Sequence, residues 1–406
     1  MPSVTIGGSS SQLAMTFDTT ANYTLAQQIA AQINGGIQNG TIVAATNSTP
    51  PVPSSVSGAY FQTQAGPAIL PTGYTSAEIN VAAFGSATLF DSSGASGQAI
   101  LSDQNTQLFF TAASGSGTVV AGGGGNRLIV GGTGNWSLNT GTGQSNLIDV
   151  AGGAGSDTIA GGSGHNSILL GAGNDLIVST GHDSISGGSG TETVDAPGAK
   201  SDFVQGGSSD LFFVGGAGGA TIMGGSGSDT FFGSTGKQYV VGGSAGNNLL
   251  FAGDGAATLA GGGGGDQLYA YGGSKQVLIA ASGNETLSAA LSSGADSLSA
   301  GSGNDQIAGG SGADTFVGGA GNATVTAGSG ADVFEFIKGQ AGGTEEVQGL
   351  FNGAPLAIHL EGYGAGADAA ALASQTTSSG GVTIKLSDGT QVTFLDVTSL
   401  HSSNFV

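Results

Sequence analysis

The chain has 406 residues, 81 of them glycine, no cysteine, and 6 basic against 27 acidic side chains, for a formal net charge of −21. That balance excludes nucleic acid as a natural partner, since phosphate binding needs clustered cations. The missing cysteines exclude disulfides, thiolate metal sites and a cysteine nucleophile. No run of about 18 apolar residues is present to cross a membrane as a helix, and charged residues at only 8% argue against plain disorder.

The start, Met1-Pro2-Ser3-Val4-Thr5-Ile6-Gly7-Gly8, lacks the basic and apolar regions of a cleavable signal peptide. Thr24-Leu25-Ala26-Gln27 reads as a capping box. Leu25, Ile29 and Ile33 with Ala26 and Ala30 form one apolar stripe, ended by Asn34-Gly35-Gly36, so one helix is predicted there. Around Pro50, Pro51 and Pro53 the chain reads as a loop. Beyond it Tyr60-Phe61, Ile79 to Phe84, Ala87 to Phe90 and Leu108 to Thr111 read as short strands between Gly and Ser turns. Residues 1–112 are therefore expected to form an N-terminal α+β cap or small domain. Two arrangements fit: a degenerate continuation of the repeats that follow, topped by a helix, or a separate domain.

From about Gly122 to Glu335 a nine-residue phrase, Gly-Gly-x-Gly-x-Asp-x-apolar-x, returns with drift, intact from Gly152 to Ala160, Gly224 to Phe232, Gly261 to Tyr269 and Gly309 to Val317. A fixed short period implies a solenoid. The glycines are expected to supply the positive φ angles and close backbone approach of a tight turn. The x-apolar-x triplet alternates, one side chain inward and two outward. Two phrases, 18 residues, would close one coil, so that an Asp stacks over the Asp 18 residues later. Stacked strands lie ~4.8 Å apart, and two carboxylates at that spacing repel by roughly 1 kcal/mol in water. A divalent cation between them turns repulsion into a bond, and turn carbonyls can complete an all-oxygen shell that suits Ca²⁺ better than Mg²⁺.

Spacings of 18 link Asp157 to Asp175, Asp296 to Asp314 and Asp314 to Asp332, with Asp305 in the same nine-residue phase. Asp229 and Asp266 sit in intact phrases, but Leu211 and Asn248 stand 18 residues before them, so their sites are partial. These eight aspartates are the candidate metal ligands. Elsewhere the Asp slot holds Arg127, Trp136, Asn166, Glu192, Ala220, Gln238, Ala257, Glu285 or Ala323, and such rungs need no calcium. Asp183, Asp202, Asp210 and Asp254 read as solvated turn residues. Irregular spacing from Glu192 to Asp202 and from Gly206 to Val214 is expected to break or bulge the stack. The sum is a permanent scaffold with a few metal staples.

The phrase resembles the glycine-rich "repeats in toxin" (RTX) family of secreted bacterial proteins, over roughly Ala113 to Val406. The resemblance implies an all-β fold, a right-handed parallel β-roll or β-solenoid over residues 113–335, with Ca²⁺ as the bound ion. It also implies secretion to the cell surface or medium by the type I secretion machinery. Residues 336–406 would be a C-terminal β cap and secretion signal. Ala331-Asp332-Val333-Phe334-Glu335-Phe336, then Glu345 to Gly353 and Ile358 to Gly364, are similar to the end cap that follows RTX repeats, with Glu345-Glu346 in place of the more common Asp pattern. Val382 to Leu386, the turn Asp388-Gly389 and Gln391 to Leu395 form an alternating hairpin pattern. The final Leu400 to Val406 is similar to the endings of type I substrates, with Asn404 where an acid is usual. An end cap is needed physically as well, because an uncovered last coil exposes a strand edge and apolar core.

Catalysis finds little support. The four histidines, His165, His182, His359 and His401, lie outside any His-Glu-x-x-His motif, and no P-loop is present. His165 and His182 read as exposed turn residues. Trp136, Phe212, Phe213, Phe231, Phe232, Tyr269 and Tyr271 read as core or ladder residues in preference to a sugar-binding platform. No enzyme is expected. A structural role at the cell surface or in extracellular matrix, such as a self-associating surface-layer, fibre or biofilm component, fits best. The alternative is a recognition protein that uses residues 1–112 as a binding head, for instance toward a cell-surface polysaccharide. A weaker alternative is an export module attached to a diverged hydrolase.

Overall fold

The computed structural model describes residues 3–7, 12–81, 85–123, 127–142, 145–149, 153–350 and 356–406. Met1, Pro2, Gly8, Phe84, Gly152 and the Phe351, Asn352 and Gly353 of the expected cap lie outside them. The chain divides into two compact units, Met1–Ser209 and Asp210–Val406. The division falls inside the irregular run between Gly206 and Val214.

The first unit is a parallel β-solenoid in which successive strands alternate between two sheets. One ladder stacks Ile42–Thr46, Ser57–Gln62, Tyr74–Ile79, Gln98–Ser102, Gly117–Ala121, Trp136–Thr140, Thr158–Gly162, Asp175–Ser179 and Glu192–Asp195. The other stacks Gly66–Leu70, Ser86–Asp91, Gln107–Ala112, Arg127–Val130, Ser145–Asp149, His165–Leu169, His182–Ser186 and Ser201–Gln205. Parallel pairing therefore begins at Ile42, well before the first glycine phrase. The strand expected from Ile79 to Phe84 runs instead over Tyr74–Ile79. Ala77 and Ile79 fill the interior and fix its register against Ser57–Gln62.

Helix α1 spans Thr20–Asn39 and starts earlier than the Thr24 cap predicts, because the Thr19 hydroxyl accepts the Asn22 N–H at 3.1 Å. Thr24 is inside the helix, its hydroxyl bonded to the Thr20 carbonyl at 2.9 Å. The helix passes through Gly35-Gly36 and ends at Gly40, whose φ of 77° only glycine adopts readily. Ala26, Ile29, Ala30 and Ile33 pack with the antiparallel hairpin of Ser3–Gly7 and Gln12–Thr16 onto Ala59, Phe61, Leu101 and Val120, the outward side chains of the first ladder. Each large apolar side chain so buried stabilises by about 1.5–3 kcal/mol.

The inward residue of each triplet forms the core. Leu138, Ile159, Ile177 and Val194 line one sheet of the first unit, and Ile148, Ile168, Ile185 and Val204 the other. Trp136 is buried beside Phe110.

The second unit repeats the plan. One ladder runs from Leu211–Val214 through Thr230–Phe232, Leu249–Phe251, Gln267–Gly272, Thr286–Ser292, Asn304–Ala308 and Asn322–Gly328 to Thr344–Leu350. The other runs from Gly219–Met223 through Gln238–Val241, Ala257–Ala260, Val277–Ile279, Ser297–Ser299, Thr315–Val317 and Val333–Ile337 to Ala357–Glu361. The predicted hairpin forms from Gly381–Lys385 and Gln391–Leu395 and adds to Thr344–Leu350 as a further rung. On the other sheet Phe405 bridges Ile358, and the Val406 N–H donates to the Ile358 carbonyl at 3.0 Å. Both last edges are thus covered. A short helix, α2, spans Ala367–Ala373.

Aromatic rings align along the ladders as expected. Phe213 and Phe231 stack inside at 5.4 Å, and Phe232, Phe251 and Tyr269 stack outside at 5.2 and 4.6 Å. His165 and His182 open adjacent strands of the first unit, with rings stacked at 4.6 Å, and are not turn residues.

Candidate metal centre

The glycine phrase builds its turn around the aspartate. Asp314 accepts the Gly310 N–H on Oδ2 at 2.8 Å and the Asp296 N–H on Oδ1 at 2.9 Å. Asp266 does the same with Gly262 at 2.9 Å and Asn248 at 2.8 Å. One carboxylate thereby closes its own turn and ties down the coil before it. The first glycine is required because the carboxylate folds over it: a Cβ on Gly261 would lie 2.5 Å from Asp266 Oδ2. The second and fourth are required by stacking, since a Cβ on Gly310 or Gly312 would collide with the carbonyl oxygens of Ser292 or Gly294 in the neighbouring coil. None of Gly261, Gly264, Gly309, Gly310 and Gly312 has a left-handed φ, so at these positions close approach alone requires glycine, whereas Gly265, Gly162 and Gly328 do adopt the expected positive φ at 80°, 76° and 90°.

The same bond recurs down each side of each unit. In the first unit the Trp136 N–H donates to Asp157 Oδ1 at 2.6 Å, and the Asp157 N–H to Asp175 Oδ1 at 2.8 Å. On the opposite side side-chain amides take over part of the column, Asn146 Nδ2 donating to Asn166 Oδ1 and Asn166 Nδ2 to Asp183 Oδ1, both at 2.6 Å, while the Asp183 main-chain N–H reaches Asp202 Oδ1 at 3.1 Å. Asp183 and Asp202, expected as solvated turn residues, are only 2% and 3% exposed and stand in the slot. Their spacing is 19 residues, and the turn at 196–200 absorbs the extra one, so the irregular run from Glu192 to Asp202 leaves both ladders paired. Asp210 and Asp254 are exposed.

In the second unit the Leu211 N–H donates to Asp229 Oδ1 at 2.9 Å, Asp229 to Asn248 Oδ1 at 2.7 Å, and Glu285 to Asp305 Oδ1 at 3.0 Å. Opposite, Gln276 donates to Asp296 Oδ1 at 2.8 Å, and the chain of bonds continues through Asp314 to Asp332 at 2.9 Å each. All eight predicted aspartates occupy slots. Gln276 and Glu345 fill slots that strict periodicity missed; the signal available was their place just before an x-apolar-x triplet.

Burial raises several of the slot acids. It pushes Asp157, Asp202, Asp229 and Asp314 up to about 6, and Asp175, Asp183, Asp296 and Asp332 upward as well. At Asp157 the charge of Asp175 adds to burial, while the Trp136 N–H opposes it. Buried like charges of this kind are what a bound cation relieves. The donor set fits one. Oδ2 of Asp157, Asp175, Asp202, Asp229 and Asp296 is buried and meets no hydrogen-bond donor. Such oxygens, with turn carbonyls, are hard ligands suited to Ca²⁺. Asp266, Asp305 and Asp314 differ, since N–H groups already engage both their oxygens. Among the described residues no three His, Asp or Glu side chains converge, so an ion would take one or two carboxylates and otherwise carbonyl or water oxygens.

The family model for the RTX calcium-binding nonapeptide repeat (4 copies) matches residues 149–177, 176–196, 214–244, 242–274, 292–325 and 308–335. The chain carries RTX calcium-binding repeats, and they lie in its parallel β-solenoid. The matched stretches contain all eight candidate aspartates and Asp183, while Asp202 lies outside them. No curated protein matches the chain. The ion of RTX repeats is calcium. In this RTX roll Asp157 and Asp175, one coil apart and each with a buried Oδ2 that meets no donor, are the pair that would hold it, where it would neutralise charge and clamp neighbouring coils.

Proposed function

We propose that the protein is a secreted structural component of the cell surface or extracellular matrix, in which calcium staples a pre-formed roll. The observation that carries this reading is the stacking of buried, half-satisfied aspartates in both units, which makes the scaffold itself the calcium-responsive part. Extracellular modules bind calcium with dissociation constants on the order of 10⁻⁴–10⁻³ M, so external calcium would load the sites and cytosolic calcium would not. The RTX repeats support export by type I secretion. Self-association through sheet faces is supported by outward apolar strips, Ile69, Phe90, Phe109 and Leu147 in the first unit and Phe212, Phe232 and Tyr271 in the second. Pairing through the free edge of Gly66–Leu70 is disfavoured by Pro67, which has no N–H to give. Sedimentation velocity in millimolar calcium should show large species that shrink in chelator; a monomer under both conditions would overturn self-association.

A recognition role toward a neutral polysaccharide is the second reading. It is favoured by an open groove of about 330 Å³ in the second unit, walled by Phe232, Phe251 and Tyr271 with Ser234, Thr235 and Asp254. Retention of the chain on an insoluble neutral glycan, lost in Tyr271→Ala, would support it over the matrix role.

A further inference from the structure

Gln276 is fully buried in a slot of the second unit, where its main-chain N–H holds Asp296 Oδ1 at 2.8 Å. Its side-chain Nε2 faces three main-chain carbonyl oxygens, those of Tyr271 at 2.6 Å, Gly253 at 2.7 Å and Gly255 at 3.3 Å. Its Oε1 accepts the Tyr271 N–H at 2.9 Å. Carbonyl oxygens converging on one point, in a slot whose bonded Asp296 keeps a second carboxylate oxygen that meets no donor, are the kind of oxygen ligands that select calcium. Here the positive end of an amide dipole stands where a cation would.

We infer that Gln276 is a built-in substitute for a calcium ion, closing a latent cation site so that this rung holds without metal. Asn248 serves its rung in a similar way, its Nδ2 donating to the Gly243 carbonyl at 2.8 Å and to Asp266 Oδ1 at 2.9 Å. Calcium demand is thereby confined to the carboxylate-rich rungs, and the amide rungs keep part of the roll closed at low calcium. The inference rests on the calcium role of the slots proposed above.

The test is Gln276→Glu in the full chain, compared with the native chain by equilibrium dialysis of calcium and by thermal melting in chelator and in millimolar calcium. The variant should melt about 4–8 °C lower in chelator, as expected for the loss of roughly 2 kcal/mol, recover in calcium, and bind one more ion per chain. Gln276→Ala, which empties the site without adding charge, should show the same rescue by calcium. An unchanged ion count, with melting lowered equally in both conditions, would reduce Gln276 to packing and overturn the inference while leaving the calcium role of the native slots intact. A native chain that binds no calcium would overturn that role, and the inference with it.

Discussion

The main-chain N–H of Asp157 donates to Oδ1 of Asp175, one coil further on, at 2.8 Å, while Oδ2 of each carboxylate is buried without a donor. Half of each group serves the fold and half meets no donor. Asp157→Asn keeps an acceptor for the Trp136 N–H and removes the charge, so it should lose calcium and leave the metal-free melting temperature unchanged or higher. Asp157→Ala should in addition cost about 1–3 kcal/mol, because the buried Trp136 N–H loses its acceptor. Calorimetric calcium titration and melting in chelator separate the two effects.

Acidity should stabilise the metal-free protein. Asp157, Asp202, Asp229 and Asp314 are raised from 3.8 to about 6 in the fold, so the folded state holds more protons than the unfolded one between those values. Their favourable contribution is complete below pH ~3.8 and is lost as pH rises through ~6. In chelator the melting temperature should therefore fall from pH 5 to pH 7. Calcium binds the ionised form and should flatten or reverse that slope. A rise across the same interval in chelator would contradict the buried-acid description.

Glu78 provides a second, separate titration. It lies between Phe61 and Leu101 on the ladder face that α1 covers, fully buried, and burial raises its pKa to about 8 despite the opposing Ser76 hydroxyl. Stability from the protonated group is complete below pH ~4.5 and disappears as pH rises through ~8. Glu78→Gln should remove the part of the stability loss that continues between about pH 6 and pH 8, above the range of the aspartates, read by melting. Equal slopes for both chains would show that Glu78 does not titrate there.

Two glycines should respond in opposite directions to alanine. Gly312→Ala drives a Cβ into the Gly294 carbonyl and should destabilise by about 1–3 kcal/mol. Gly35, inside α1 with open space around its would-be Cβ, should gain up to about 1 kcal/mol as alanine. Denaturant unfolding measures both.

The roll, its inward column and eight slots were legible because the nine-residue phrase writes turn chemistry and strand alternation together. The rungs from Ile42 to Ala121 were harder to read, since their turns use other devices, such as Gly94 and Gly97 at positive φ and the Asp91 carboxylate accepting the Ser93 N–H. Counting by 18 missed Asp202 and Gln276 for a simpler reason. Turns, and bulges such as those at Ala160/Gly162 and Tyr269/Tyr271, absorb spare residues between paired strands, so the slot bonds span 21 residues from Trp136 to Asp157 and 20 from Gln276 to Asp296. At α1 the legible signal is the Thr24 capping box, and the cap is Thr19, earlier than that pattern indicates.

The most direct test of a permanent roll with calcium staples is the far-UV circular dichroism melt of the full chain in chelator and in millimolar calcium. Such a roll should give a sheet spectrum in both, with the transition moved upward by calcium. An unstructured spectrum in chelator that becomes sheet only on adding calcium would contradict the permanent scaffold, and identical melts would contradict the staples.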